Sequence, residues 1–131
     1  RTPNILSKDR GKAGAEGRSL NNMTIQSYGL LLNRACIALQ SRITKDGMTN
    51  DVILVNNIHD AAYLLVRNDP KAVKWLNDNL IEVMVADFTD GQEIPLTAEL
   101  DIGPSWDKQY TLDNNLTEAE VLDKMKEFSL V

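Results

Sequence analysis

A chain of 131 residues with 43% hydrophobic and 25% charged side chains has the size and composition of one soluble domain that buries its own core. It holds no apolar run near the ~20 residues that a membrane helix requires, and its single cysteine, Cys36, excludes an internal disulfide. The net charge of −5 argues against a uniformly basic surface, but the charge is unevenly spread. Residues 1–42 hold seven basic side chains (Arg1, Lys8, Arg10, Lys12, Arg18, Arg34, Arg42) against Asp9 and Glu16, a net of +5; the remainder hold seven basic and 17 acidic groups, a net of −10. A basic end on an acidic body can face a polyanion locally, or it can be a polar terminus; charge alone leaves both readings open.

Residues 1–17 contain Pro3, Gly11, Gly14 and Gly17 among polar groups without periodicity and read as loop. Arg1-Thr2-Pro3 carries neither an initiator Met nor the order of a signal peptide, so the expectation is a piece of a longer chain. From about Ser19 to Arg42 the pattern is helical. Leu30, Leu31, Ala35, Ile37, Ala38 and Leu39 recur at three- and four-residue steps, Ser19 is a candidate N-cap, and Lys45-Asp46-Gly47 is a stop. Within this helix Cys36 reads as a small buried hydrophobe, which suits a reducing, intracellular compartment.

Val52 to Val55 and Ala62 to Val66 are two β-rich apolar runs separated by the tip Asn57-Ile58-His59-Asp60, a predicted hairpin. Their near-continuous apolar character predicts that both faces are covered, or that one is covered and the other lines a cleft. Asp69 and Pro70 open a second helix, with Val73, Leu76, Leu80, Val83 and Met84 as its core stripe to about Phe88. Ile94 to Ile102 reads as a third strand, stopped by Gly103-Pro104, and Thr117 with Glu120 forms a capping box for a last helix over Thr117 to Phe128. The fold class is therefore α+β: an antiparallel hairpin plus a third strand against two long helices, with an extra C-terminal helix.

Two constellations can carry chemistry. A carboxylate at a hairpin tip, here Asp60 beside the only histidine, His59, is rigidly held yet accessible, as a hard divalent cation such as Mg²⁺ requires of its oxygen ligands. One Asp is not a metal site, and Asn, His and Asp at a tip are also ordinary turn formers. The other constellation is the row Arg18, Asn22 and Gln26 at i, i+4 and i+8, one polar stripe if the helix starts early enough. Such side chains donate to purine N3 and pyrimidine O2 in the DNA minor groove and ignore sequence, while Lys8, Arg10 and Lys12 offer phosphate contacts. A solvated helix face is the competing reading.

In this order the two constellations resemble the C-terminal palm region of family A DNA polymerases, the polymerase I family. The resemblance rests on Arg18-Ser-Leu-Asn-Asn22-Met-Thr-Ile-Gln26, then a helix, a strand, His59-Asp60 and a strand. Arg1-Thr-Pro-Asn-Ile5, Ala15-Glu-Gly-Arg18, Ile94-Pro-Leu-Thr-Ala-Glu99 and Trp106-Asp107 extend it over residues 1–107, in character similar to phage-encoded members. It implies a basic loop at 1–17, a DNA-contacting helix at 18–43, a catalytic hairpin at 51–67, a helix at 69–88 and a strand at 94–102; residues 108–131 are an extension without a counterpart.

The resemblance further implies a DNA-directed DNA polymerase acting on primer-template DNA and dNTP, in the cytoplasm of a host cell if phage-encoded. Asp60 is then a ligand of two catalytic Mg²⁺ ions, shared with an aspartate outside this chain, and His59 helps position the primer terminus. Arg18 and Gln26 hold the minor-groove face of the nascent pair, with Asn22 as a neighbour. Ala61 departs from the family's usual glutamate, and Ser27-Tyr28-Gly29-Leu30 departs from its small-residue run. On this reading the rest of the polymerase chain is an obligatory partner, a processivity partner is left open, and the chain alone does not polymerise. The alternative classes are a non-catalytic α+β module that binds DNA or a protein, and a stand-alone metal-dependent phosphohydrolase, which a single ligand cluster disfavours.

Overall fold

The computed structural model describes residues 8–21, 29–86 and 96–131. These form helices α1 (Arg10–Leu20), α2 (Gly29–Lys45), α3 (Pro70–Val85) and α4 (Glu118–Glu127), and strands β1 (Val52–Ile58), β2 (Ala61–Val66), β3 (Leu100–Ser105) and β4 (Lys108–Leu112). The fold is α+β, with two antiparallel two-stranded sheets among the described residues, β1-β2 and β3-β4. No described helix is long and apolar enough to cross a membrane.

Helix α3 buries the stripe that its periodicity marks, whereas on α2 the buried face is offset from the expected one: Ala35 and Leu39 are buried as expected, but Leu30 and Ile37 are exposed. On α2, Leu32, Ala35, Cys36, Leu39 and Ile43 are buried; on α3, Ala72, Val73, Leu76, Leu80 and Val83 are, after Pro70 sets the first turn. Each fully buried Leu, Ile or Val contributes about 1.5–3 kcal/mol. Burial also pushes the Cys36 thiol up from its ordinary pKa, so it remains a packed neutral group. At the exposed edge of the α2–α3 contact, Arg42 makes a two-pronged bond to Glu82, Nη1 to Oε2 at 2.6 Å and Nη2 to Oε1 at 2.9 Å.

The same core extends into both hairpins and the last helix. Val52 of β1, Leu100 and Ile102 of β3, Leu112 of β4, and Val121 and Met125 of α4 belong to it. The α4 capping box forms as read: the Thr117 N–H donates to the Glu120 carboxylate at 2.8 Å and the Glu120 N–H to the Thr117 hydroxyl at 3.4 Å. Tyr110 and Phe128 stack at 4.4 Å and tie β4 to the end of α4. The buried Asn77 side chain donates from α3 to the Asp113 carbonyl at 2.9 Å, which anchors the loop between β4 and α4.

Three sequence expectations are corrected. The loop expected at 1–17 is helical from Arg10 on, because Asp9 caps it, accepting from the Gly11 and Lys12 N–H groups at 3.0 and 3.3 Å; Ser19 is thus inside a helix and is not an N-cap. The strand expected at 94–102 begins at Leu100 and runs on through Gly103-Pro104 to Ser105, while 96–99 are not strand and 94–95 lie outside the described residues. It pairs with β4 in its own sheet and does not extend the first hairpin. A register shift between Ile102 and Ser105 explains the passage: Pro104, which has no N–H, falls where the ladder is irregular. The helix expected over 18–43 corresponds to α1 and α2 on either side of residues 22–28, which are outside the described set, and that expected over 69–88 is α3, with 87–88 also outside it.

A Cβ added at Gly103 would sit 1.8 Å from the Lys108 carbonyl oxygen, a backbone atom that cannot turn aside. Gly103→Ala is therefore expected to destabilise the chain by more than ~2 kcal/mol in urea unfolding; a smaller loss would mean that the β3-β4 irregularity is not fixed by this approach. Acid stability has a second source. Arg42 holds the Glu82 carboxyl below its ordinary value of 4.5, chiefly by hydrogen bonding, and the Thr117 hydroxyl and N–H do the same for Glu120. A carboxylate whose pKa is lowered on folding stabilises the fold above its unfolded pKa and loses that contribution as pH falls through the folded one. Glu82→Gln and Glu120→Gln are each expected to flatten the fall in Tm below about pH 4.5; identical acid limbs in wild type and both variants would contradict this.

Candidate functional site

β1 and β2 pair from Val52↔Val66 to Ile58↔Ala61, leaving His59 and Asp60 as a two-residue turn. The tip is shorter than the expected Asn57–Asp60 tetrad, since Asn57 and Ile58 belong to β1. Two-residue hairpin turns match strand twist only with a left-handed residue, normally Gly or Asn. Here His59 takes that conformation, at φ 56°, and a non-glycine residue there costs about 1 kcal/mol. Residues 55–60 are all exposed, so the imidazole and carboxylate stand beyond the core on a ribbon whose base is buried.

One irregularity decides which way the ribbon's side chains point. The register shifts between Leu54 and Asn56, so that Leu54 pairs with Leu64 but Asn56 with Tyr63 and Asn57 with Ala62; Val55 is the extra residue of a β-bulge. On one face Val52, Leu64 and Val66 join or pack against the core, and the half-buried Leu54 lies on the same face opposite Leu64. Past the bulge that face continues with Asn57, whose Nδ2 donates to Asn33 Oδ1 on α2 at 2.9 Å. On the other face Ile53 and Leu65 are exposed, which corrects the expectation of two covered faces; of the alternative, one face covered and the other lining a cleft, the structure shows the covered face. Toward the tip on that second face Tyr63 stacks on Trp106, from the β3-β4 turn, with ring centroids 4.3 Å apart and planes 19° apart.

The remaining predicted residues lie elsewhere. Arg10, Lys12 and Arg18 are exposed on α1, with Lys8 exposed just before it. Arg10, Gly14 and Arg18 follow one another at four-residue steps along a single face, and Arg18 Nη1 lies 3.6 Å from where a Cβ on Gly14 would sit. Lys12 forms only a loose, exposed pair with Asp9 at 3.9 Å. Asn22 and Gln26 fall outside the described residues. The structure joins His59 and Asp60 to α2 and to the second hairpin through Asn57 and Tyr63; Arg18 makes no hydrogen bond or ion pair with them among the described residues.

No group of three or more His, Cys, Asp or Glu side chains converges among the described residues in a way that could hold a metal. Asp60 offers one carboxylate of the hard-oxygen kind that Mg²⁺ takes, and a complete cage needs further ligands from outside this set. Sequence reasoning missed Asn33, Tyr63 and Trp106, because no local pattern links residues that meet only through the bulge and the second hairpin. No protein-family model, curated protein sequence or solved structure matches this chain.

Proposed function

We propose that this chain is part of a DNA-directed DNA polymerase of the family A kind, in which it supplies one catalytic aspartate and part of the grip on primer-template DNA. The observation that carries the reading is the His59-Asp60 turn, an exposed, backbone-strained histidine beside an exposed carboxylate on a ribbon rooted in the core. Strain kept at an exposed turn points to use of the side chain, since glycine would form the same turn without it. In this role Asp60 is one ligand of a shared Mg²⁺ site, completed by a carboxylate from outside these residues. The ions, when bound, activate the primer 3′-hydroxyl and neutralise charge on the triphosphate. His59 orients the primer terminus, Lys8, Arg10 and Lys12 contact phosphates, and Arg18, with Asn22 and Gln26, faces the minor groove.

A second reading, a DNA- or protein-binding module without catalysis, is favoured by the lone carboxylate at the tip among the described residues. Primer extension separates the two. The 131-residue chain alone is expected to be inactive, and robust Mg²⁺-dependent synthesis by it would overturn the shared-site reading. In the polymerase that contains it, Asp60→Ala is expected to abolish synthesis and leave duplex affinity within ~2-fold, since base and phosphate contacts lie elsewhere; unchanged synthesis would favour the module. Arg10→Ala and Lys12→Ala should weaken duplex binding alike on every sequence and lower the salt slope by ~1 each, whereas Arg18→Ala should lower fidelity at the primer terminus.

His59→Gly tests the strain directly. It is expected to leave the unfolding free energy unchanged or raise it by up to ~1 kcal/mol while primer extension falls. A loss of stability would show that the imidazole holds the turn and is not kept for chemistry.

A further inference from the structure

A two-stranded ribbon is marginal in water without support, and residues 55–60 extend past the core with all their side chains exposed. A group that must hold a reacting atom within a fraction of an ångström cannot ride on such a tip unless something fixes it. Two contacts reach the ribbon beyond its buried base, and they come from opposite sides. Asn33 on α2 accepts a hydrogen bond from Asn57, two residues before His59, at 2.9 Å. Trp106 stacks on Tyr63, three residues after Asp60, with centroids 4.3 Å apart.

Neither contact is explained by core packing. Asn33 is exposed, and Trp106 is 64% exposed, which is unusual for a large aromatic that merely fills a core. The Trp106 turn is itself held: the Ser105 hydroxyl donates to Asp107 Oδ1 at 2.6 Å, and the hairpin behind it is fixed to the core through Leu100, Ile102 and Leu112. The brace on one side is thus rooted in α2 and the brace on the other in the β3-β4 hairpin. Without them the ribbon could swing about its base in either direction normal to its faces.

We infer that Asn33 and Trp106 are positioning residues that clamp the His59-Asp60 turn from the two faces of the β1-β2 ribbon. Their mechanical role is independent of what the turn does; their effect on catalysis rests on the reading of Asp60 as a metal ligand. The two parts are tested separately.

Hydrogen exchange on the 131-residue chain tests the clamp. Trp106→Ala and Asn33→Ala are each expected to speed exchange of the tip amides, residues 56–63, by ~10-fold, as local opening becomes easier. Exchange at Val52 and Val66 at the base, and Tm, should stay as in wild type. Trp106→Phe, which keeps a stacking ring, should restore the slow exchange. Because both side chains are exposed, the variants leave the core untouched; unaltered tip exchange in both overturns the clamp. In the polymerase that contains the chain, Trp106→Ala is expected to lower kcat by ~10- to 100-fold, as misplacement of a catalytic group does, with KM for dNTP little changed. Faster tip exchange with undiminished synthesis would leave the clamp standing and overturn the catalytic reading of Asp60.

Discussion

The packing of α2 on α3 is the constraint on which the rest of the structure depends. Leu39 and Ile43 from one helix and Leu76, Leu80 and Val83 from the other are almost fully buried, and they form the floor on which both hairpins and α4 are laid. Every other described element except α1 has an apolar residue in or against this core, from Val52 and Leu64 in the first hairpin to Met125 in the last helix. Two-stranded sheets of this length do not persist alone. They exist here because each contributes one apolar face to a core that the helices have already organised, and loosening the helix pair would release both hairpins together.

From that constraint follows a gradient along the first hairpin. Its base is anchored by Val52 and Val66, its middle exposes Ile53 and Leu65 on one face, and its tip is entirely exposed. Such a gradient presents polar chemistry at the end of a stiff lever, with accessibility rising as support falls. The left-handed backbone at His59 lies at the far end, where no packing gain can offset it. A fold optimised for stability alone would place glycine or asparagine there.

Much of this was legible in the sequence, and the reasons are local. Pro70, the Thr117-Glu120 box and the apolar stripe on α3 are short-range signals that the structure keeps, as it keeps the two β-rich runs around His59-Asp60, whereas on α2 the helix is kept but its buried face is turned from the one expected. The helix α1 was not legible because three glycines and few apolar groups give it no periodicity; its one local signal is the Asp9 cap. The β3-β4 hairpin was hidden because Gly103-Pro104 normally ends a strand, and only the register shift, a property of the pair, lets the strand continue. At the candidate site the turn could be read and its supports could not, since both depend on contacts distant in sequence.

The bulge at Val55 shows why those supports are a consequence of the fold and not of composition. Side chains alternate along a strand, so in an unbroken β1 that turns Val52 and Leu54 inward, Asn56 and Ile58 would point toward the helices and Asn57 away from them. One extra residue exchanges the two sets beyond it. Asn57 then meets Asn33, in the inward place that Asn56 would hold in a regular strand, while Asn56 is moved to the outer face beside Tyr63, where the Trp106 ring lies. The same insertion strengthens the local twist and so turns the His59-Asp60 end relative to its base. A single inserted residue thus decides which of the two adjacent asparagines faces α2 and brings Ile58 and Asn56 to the outer face of the ribbon.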